Sequence, residues 1–296
     1  MKRYNGKVNI LHLLSGAKEA EGLTVIIDVF RAFTLETYLY DMGAELIRPI
    51  GTIEEAFKLK ETTPNSLLFG ERNGIKVEGF DYGNSPSSVN ADIVKGKTIL
   101  HTTSAGTQGV VNATNATQIL AGSLVNARAI AEYIIETKPE VVSLVCMGWN
   151  AEEETPEDEL CAEYIKSILD GEELTNMDER VAALRHDGGE HFFNPDTQEN
   201  FPAEDFWMSI KYDLLTHVLE ITKDEIGFVT KRISRSVLQC ICDIIAFFIA
   251  NTFADSNNNG MFLCHFLSDI IKKLIYRKRS FTKIDQIWSC IAIQSA

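Results

Sequence analysis

The sequence predicts an α/β protein, in which a mostly parallel or mixed sheet lies between layers of helices. Short apolar runs such as residues 25–29 alternate along the chain with longer segments that show helical spacing. The runs are rich in Val and Ile, which is typical of strands that are buried on both faces. Because strands that alternate with helices form βαβ units, we expect most neighbouring strands to be parallel.

The elements are predicted in chain order. Thr52 opens a helix with Glu55 three residues later, and Thr155 precedes Pro156 at another helix start, which are both patterns of helix N-termini. The predicted strands cover residues 25–29, 46–50, 67–69, 98–101, 118–121 and 141–147. The predicted helices cover residues 31–42 and 105–116, residues 126–137, and the segments that begin at Thr52 and Thr155.

Composition restricts the function classes. The chain has 296 residues, of which 45% are hydrophobic and 24% charged, as in an ordinary soluble protein with a sizeable core. Its formal charge of −14 argues against nucleic-acid binding, although local arginines would still permit an anionic substrate. Residues 1–22 lack the apolar segment of a signal peptide, so we expect a cytoplasmic enzyme. Composition leaves homo-oligomer formation open.

The C-terminal region differs from the rest. Residues 234–296 contain 7 Lys and Arg against 4 Asp and Glu, together with four of the six cysteines. The sequence therefore predicts an α/β domain over residues 1–233, with one or two subdomains, followed by an atypical helical tail. Residues 237–253 are apolar but short for a membrane span, so membrane binding is not expected. We expect the tail to be dispensable for chemistry.

A loop at residues 70–86 is the strongest candidate for ligand chemistry. It contains four glycines and a proline among charged residues, a composition that cannot form a core element. It follows the predicted strand at residues 67–69, and loops that leave buried strands commonly carry function. The alternative is a surface loop with solvated charges.

Three further sites place polar residues at the ends of elements. Asp28 lies in an apolar strand, where it must pair with Arg31 or bind a cation, or else act in catalysis. Residues 102–107 form a hydroxyl-rich turn that could cradle a phosphate or simply cap a helix. The acids at residues 157–159 favour a helix N-terminus, unless other carboxylates lie near them. His186 and His191 could act as general acids or ligands, but we expect them to be surface histidines.

Several segments together resemble the 2-phosphosulfolactate phosphatase family in order and spacing. They are Val25-Ile26-Ile27-Asp28-Val29-Phe30-Arg31-Ala32, Gly70-Glu71-Arg72-Asn73-Gly74, Gly79-Phe80-Asp81-Tyr82-Gly83-Asn84-Ser85-Pro86, Thr102-Thr103-Ser104-Ala105-Gly106-Thr107 and Glu157-Asp158-Glu159-Leu160-Cys161-Ala162. The resemblance covers roughly residues 5–233. It differs from many relatives at Ser104 and Ala105, which replace a threonine and an asparagine.

The resemblance implies a Mg²⁺-dependent phosphatase with an α/β fold, of a kind whose best-known members act in coenzyme M synthesis. The expected substrate is a small anionic phosphomonoester, and 2-phosphosulfolactate is the first candidate. The residues implied in catalysis are Asp28, Arg31, Glu71, Arg72 and Asp81. Those implied in substrate or phosphate binding are Asn84, Ser85, Thr102, Thr103, Ser104, Gly106 and Thr107. Those implied as Mg²⁺ ligands are Asp28, Glu71, Asp81 and Asp158.

Elementary chemistry agrees with this expectation. Arginines such as Arg31 and Arg72 can contact a phosphate in a bidentate manner, and carboxylate oxygens suit Mg²⁺. Phosphoryl transfer requires both kinds of charge stabilisation. Whether a carboxylate or water attacks phosphorus stays open at this point. The alternative function is a binding protein for a phosphorylated metabolite that does not turn its ligand over.

Overall fold

The computed structural model describes residues 3–172 and 174–233, which belong to one compact unit, Met1–Ile233. The predicted tail at residues 234–296 lies outside the described residues, so its helical structure and its dispensability stay predictions. Among the described residues, none of the helices combines the length and the apolar character that a membrane crossing would require.

The described residues form one mixed sheet of ten strands. The strands are β1 (Lys7–His12), β2 (Gly22–Ile27), β3 (Leu46–Pro49), β4 (Ser66–Arg72), β5 (Ile75–Lys76), β6 (Thr98–Thr102), β7 (Ala116–Gly122), β8 (Val141–Cys146), β9 (Leu219–Lys223) and β10 (Phe228–Arg232). Their order across the sheet is β1-β8-β2-β7-β9-β10-β3-β6-β4-β5.

Most of this sheet is parallel. One parallel block contains β1, β8, β2 and β7, and a second contains β3, β6 and β4. The hairpin formed by β9 and β10 joins the two blocks, because it pairs in the antiparallel sense with β7 on one side and with β3 on the other. The predicted mostly parallel or mixed sheet is confirmed.

The helices of the described residues lie along this sheet or in its loops. They are α1 (Leu13–Glu19), α2 (Ala32–Asp41), α3 (Ile53–Thr62), α4 (Ala91–Val94), α5 (Gly106–Asn112), α6 (Ala127–Thr137), α7 (Pro156–Asp170), α8 (Met177–Ala183) and α9 (Ala203–Ser209).

Alternation along β2 shows why the fold is layered. Val25 and Ile27 pack into one apolar cluster with Ile130 of α6 and Ile165 of α7. Ile26, which points to the other face, belongs to a second cluster that contains residues of α1, α2 and α5. Because successive strand residues face opposite sides, a strand that is buried throughout requires helices on both faces. The predicted α/β/α layering is therefore confirmed.

The predicted elements match the observed ones with a few differences. The helix expected at residues 105–116 ends at Asn112, and the next strand begins at Ala116. The Thr52 side chain accepts a hydrogen bond from the Glu55 N–H at 3.2 Å, as its position at the helix start predicts. The sequence analysis missed β1, the β9–β10 hairpin and the short helices α1, α8 and α9, because polar residues interrupt their apolar patterns.

Candidate active site

Asp28 stands directly after β2, where the apolar strand ends. Its side chain is buried, and its Oδ1 accepts a hydrogen bond from the Ala32 N–H at 2.9 Å. Its Oδ2 accepts a second hydrogen bond from the Gly106 N–H at 2.8 Å. A Cβ atom at residue 106 would lie 2.8 Å from Asp28 Oδ2, so this approach needs a glycine. Two backbone donors therefore fix the Asp28 carboxylate without neutralising it.

Glu71 is held in the same way at the end of β4. Its Oε1 accepts a hydrogen bond from the Ser104 N–H at 2.7 Å. Its Oε2 accepts from the Gly74 N–H at 2.6 Å and from Ser104 Oγ at 3.1 Å. A carboxylate has about four lone-pair positions, so both carboxylates keep acceptor capacity for a further ligand.

The loops after β2, β4 and β6 thus converge on a small cavity of about 30 Å³. Asp28, Glu71 and Asn84 supply polar atoms to its wall, and Phe30, Trp149 and Phe201 close it on the apolar side. A volume of this size holds a water-sized group, since one buried water needs roughly 10–15 Å³. Carboxylate and amide oxygens around such a space are hard donors of the kind that Mg²⁺ prefers.

Two more buried acids, Glu157 and Asp158, begin α7 beside Asp28. Asp158 Oδ1 accepts from the Val29 N–H and Oδ2 accepts from the Gly148 N–H, each at 2.8 Å. Asp158 therefore ties the loop after β8 to the residue that follows Asp28. Glu157 Oε2 is buried and has no hydrogen-bond partner among the described residues.

The acids raise one another's pKa values. Burial raises the pKa of Asp28 to about 6, and the nearby Glu71 carboxylate adds to this rise, whereas the Ala32 and Gly106 N–H groups oppose it. Burial raises the pKa of Glu157 to about 7, and Asp28 contributes. Burial together with Glu157 and Asp28 raises the pKa of Asp158 well above its ordinary value. A divalent cation in the cavity would relieve this repulsion.

Arg31 does not pair with Asp28, so the ion pair considered from the sequence is not formed. Its guanidinium is buried and donates from Nη1 to Asp205 Oδ2 at 2.6 Å. Further hydrogen bonds go to the main-chain oxygens of Asn200 at 2.8 Å and Gly74 at 3.2 Å. The ring of Phe201 lies 4.9 Å from its central carbon. These contacts occupy the Arg31 guanidinium in this arrangement, and its predicted role in catalysis stays a prediction.

Arg72, in contrast, faces an open cleft of about 530 Å³. Its Nη1 donates to the Glu71 main-chain oxygen at 2.6 Å and its Nη2 donates to Thr102 Oγ1 at 3.0 Å. The cleft also contains Thr103, Ser104 and the start of α3, and Ser104 borders the small cavity as well. Arg72 is therefore the predicted phosphate-binding arginine whose position fits an incoming anion.

Asp81 and Ser85 lie outside this group, so their predicted roles in catalysis, metal binding and substrate binding stay predictions. Asp81 Oδ2 accepts from the Leu68 N–H at 2.8 Å and forms an exposed ion pair with Lys60 at 3.3 Å. Ser85 Oγ donates to Asp205 Oδ1 at 2.9 Å. Both residues belong to the loop at residues 70–86 and stabilise its shape. Asp81 holds the loop to β4, and Ser85 holds it to α9.

The turn at residues 102–107, which is the predicted phosphate cradle, contacts the two carboxylates of the cavity. The N–H groups of Ser104 and Gly106 already bind the carboxylates of Glu71 and Asp28. Thr103 and Thr107 bond to each other, with the Thr103 N–H donating to Thr107 Oγ1 at 2.9 Å. The turn therefore orients the acids, and Thr102 receives Arg72.

Two buried neighbours of the site escaped the sequence analysis, and a third, His191, is more buried than expected. His101 is fully buried between Glu36, 2.9 Å from its Nδ1, and Asn84 Oδ1, 3.2 Å from its Nε2. Its position in an apolar strand was the signal that could have revealed it. Asp205, the partner of Arg31, carried no such signal. His191 was expected at the surface, but it is partly buried, and burial with the nearby Arg31 lowers its pKa to about 4.

Comparison with known proteins agrees with this arrangement. The family model described as 2-phosphosulpholactate phosphatase matches residues 9–201. A "Probable 2-phosphosulfolactate phosphatase" of Clostridium acetobutylicum is 41% identical over 142 residues, which are 48% of this chain and 60% of that protein. The protein of the same description from Carboxydothermus hydrogenoformans is 41% identical over 164 residues, 55% of this chain and 67% of the relative.

A third relative with this description, from Bacillus subtilis, is 29% identical over 204 residues, 68% of this chain and 88% of its own length. The chain thus spans about three fifths to two thirds of the first two relatives and more of the third. Asp28, Glu71, Arg72, Asn84 and Asp158 all lie inside the matched region. The resemblance inferred from the motifs is confirmed, and the chain belongs to the 2-phosphosulpholactate phosphatase family.

Proposed function

We propose that the protein is a Mg²⁺-dependent phosphatase that hydrolyses a small anionic phosphomonoester, with 2-phosphosulfolactate as the expected substrate. The products would be sulfolactate and inorganic phosphate, and a cytoplasmic place in coenzyme M synthesis is part of the proposal. The observation that carries it is the small cavity lined by Asp28, Glu71 and Asn84, which adjoins the open cleft of Arg72.

The donor set fits Mg²⁺. Asp28 and Glu71 each keep acceptor capacity toward the cavity, and the unpartnered Glu157 Oε2 lies in the same acidic cluster. Asp28, Glu71 and Asn84 would hold the ion directly, and Asp158 would orient the loops around it. When bound, Mg²⁺ would neutralise phosphate charge in a site that is otherwise repulsive to an anion.

Residues of the cavity and of the cleft would bind the substrate, support the site and exclude water. Arg72 would bind phosphoryl or acid oxygens of the substrate at the mouth of the cavity, and its donors to Glu71 and Thr102 hold the guanidinium in place. Arg31, which also lines the cavity, would support its wall, because it joins the Gly74 turn to Asp205. The aromatic wall of Phe30, Trp149 and Phe201 would exclude bulk water.

The size of the cleft supports a small substrate with a second anionic group. A phosphoryl group at the cavity mouth leaves the rest of the molecule in the cleft beside Thr52, Arg72 and Thr103. Glu54 and Glu152 also line the cleft and would disfavour a long polyanion. A short acid with one phosphate and one further anion satisfies both conditions.

The experiment is release of inorganic phosphate from 2-phosphosulfolactate and from a panel of other small phosphomonoesters. We expect turnover with Mg²⁺, loss of turnover in excess chelator, and a preference for esters that carry a second acid group. Full turnover in chelator would contradict the Mg²⁺ proposal. Binding of the ester without phosphate release, measured in parallel by calorimetry, would identify the binding-protein alternative.

A further inference from the structure

A second cluster of metal-ligating side chains lies at the ends of β1 and β8, outside the cavity just described. His12 and Cys146 are the last residues of these neighbouring parallel strands, and they are register partners. Glu159 approaches them from the first turn of α7. Their donor atoms, a ring nitrogen, a thiol sulfur and a carboxylate oxygen, all lie within 4.8 Å of one another.

Within this cluster, one carboxylate oxygen, Glu159 Oε1, forms no hydrogen bond. Glu159 Oε1 lies 2.9 Å from His12 Nε2, yet the geometry is not that of a hydrogen bond, and this buried oxygen has no good hydrogen bond among the described residues. The Cys146 thiol is buried, donates to the Asp158 main-chain oxygen at 3.5 Å and also interacts with the Glu159 side chain. Burial and the carboxylates of Asp158 and Glu159 raise the pKa of this thiol.

We propose that His12, Cys146 and Glu159 form a binding site for a borderline-soft divalent metal ion, with Zn²⁺ as the expected occupant. Imidazole, thiolate and carboxylate together are a donor set for Zn²⁺ and Co²⁺, whereas Mg²⁺ takes oxygen donors. Three protein ligands leave the fourth tetrahedral position to water, which is typical of sites that exchange their ion. The half-exposed side chains of His12 and Glu159 give the ion a route from solvent.

Binding is a substitution without redox chemistry. The ion forms one bond each to His12 nitrogen, Cys146 sulfur and Glu159 oxygen, and the thiol proton passes to solvent, so affinity rises with pH. Two further acids, Glu157 and Asp158, lie in the same first turn of α7 as Glu159. This inference does not depend on the proposed phosphatase activity.

The test is titration of the metal-free, reduced full-length protein with Co²⁺, followed by absorbance. The four tail cysteines are replaced by serine, so that they supply no thiolate. We expect a thiolate-to-cobalt charge-transfer band that saturates at one equivalent and is removed by Zn²⁺ but not by excess Mg²⁺. Cys146→Ser should abolish the band, and His12→Gln should weaken Co²⁺ affinity by at least about tenfold.

Cys161→Ser is the matched control, because Cys161 is the other buried free cysteine of the described residues. It should leave the band unchanged. The proposal is overturned if the wild-type site gives no band, which is the result expected of a simple His12–Glu159 ion pair. It is also overturned if the band persists in Cys146→Ser. Circular dichroism of each variant verifies folding, and a folded His12→Gln with unchanged affinity also contradicts the proposal.

Discussion

The small acidic cavity and the open Arg72 cleft are neighbours that share Ser104, but they are built on opposite principles. In the cavity, buried carboxylates are fixed by backbone N–H groups and have no Lys or Arg partner among the described residues. In the cleft, an arginine is fixed by its own strand and by Thr102, and it meets solvent. This difference is the reason that we propose the cavity as the site for a cation and the cleft as the site for an anion.

The largest expected effect is a difference in kcat/KM between substitutions of Asp28 and Asp81, which both lie on family-like motifs. Asp28→Asn should lower kcat/KM for phosphate release by at least about 10³-fold, because it removes charge at the centre of the cavity. Asp81→Asn, the matched control, should change it by less than about threefold, since Asp81 pairs with Lys60 away from the cavity. Equal losses in both variants would contradict the placement of Asp81 outside the site.

The next effect concerns the support behind the cavity. Asp205→Asn should destabilise the protein by about 3–5 kcal/mol, because it breaks a fully buried pair with Arg31 and weakens contacts to Ser85 and Ser87. Urea unfolding at constant pH measures this change. Asp224→Asn, which disrupts the partly exposed pair with Arg48, should destabilise the protein less than Asp205→Asn does. Similar costs for both variants would refute the supporting role of Asp205.

Arg72→Lys tests the cleft itself. The substitution keeps the charge but removes the planar fork, so we expect kcat/KM to fall by about 10- to 100-fold with little change in stability. Arg180→Lys is the control, because Arg180 lies in an exposed ion pair with Glu163. An unchanged kcat/KM in Arg72→Lys would remove Arg72 from the site.

A smaller effect is the pH dependence of stability in chelator. The folded-state pKa values of Asp28, about 6, and Glu157, about 7, lie above their ordinary values. Their favourable contribution to the free energy of unfolding is therefore fully present below about pH 4 and is lost as pH rises through about 6 to 7. Asp28→Asn should flatten this part of the profile by about 1–3 kcal/mol. Identical wild-type and Asp28→Asn profiles in urea unfolding would contradict the proposed burial of an uncompensated Asp28.

The sequence predicted the fold better than the individual contacts. Strand β2 was recognisable because its residues are apolar on both faces, and Asp28 was recognisable because it interrupts them. Side-chain direction was not predictable in the same way. Asp81 and Glu71 both belong to the loop predicted at residues 70–86. In the structure, Asp81 accepts from the Leu68 N–H, next to the bridge between Phe69 and Tyr82.

Contacts between distant segments were the other missing information. Arg31 and Asp205 are far apart in sequence, and no local pattern indicates that they pair. The β9–β10 hairpin follows the matched region 9–201 and delivers Thr230, whose hydroxyl donates to Glu36 at 3.0 Å. Glu36 in turn lies beside His101, which contacts Asn84 of the cavity. Such a chain of buried polar contacts depends on tertiary structure alone.

The most direct test of the account is calorimetric titration of the metal-free protein with Mg²⁺. We predict that the wild-type protein and Asp81→Asn bind Mg²⁺ with the same affinity, whereas Asp28→Asn and Glu71→Gln bind at least about tenfold more weakly while remaining folded. Wild-type affinity in folded Asp28→Asn and Glu71→Gln, or loss of binding in Asp81→Asn alone, would contradict the assignment of the small cavity as the cation site.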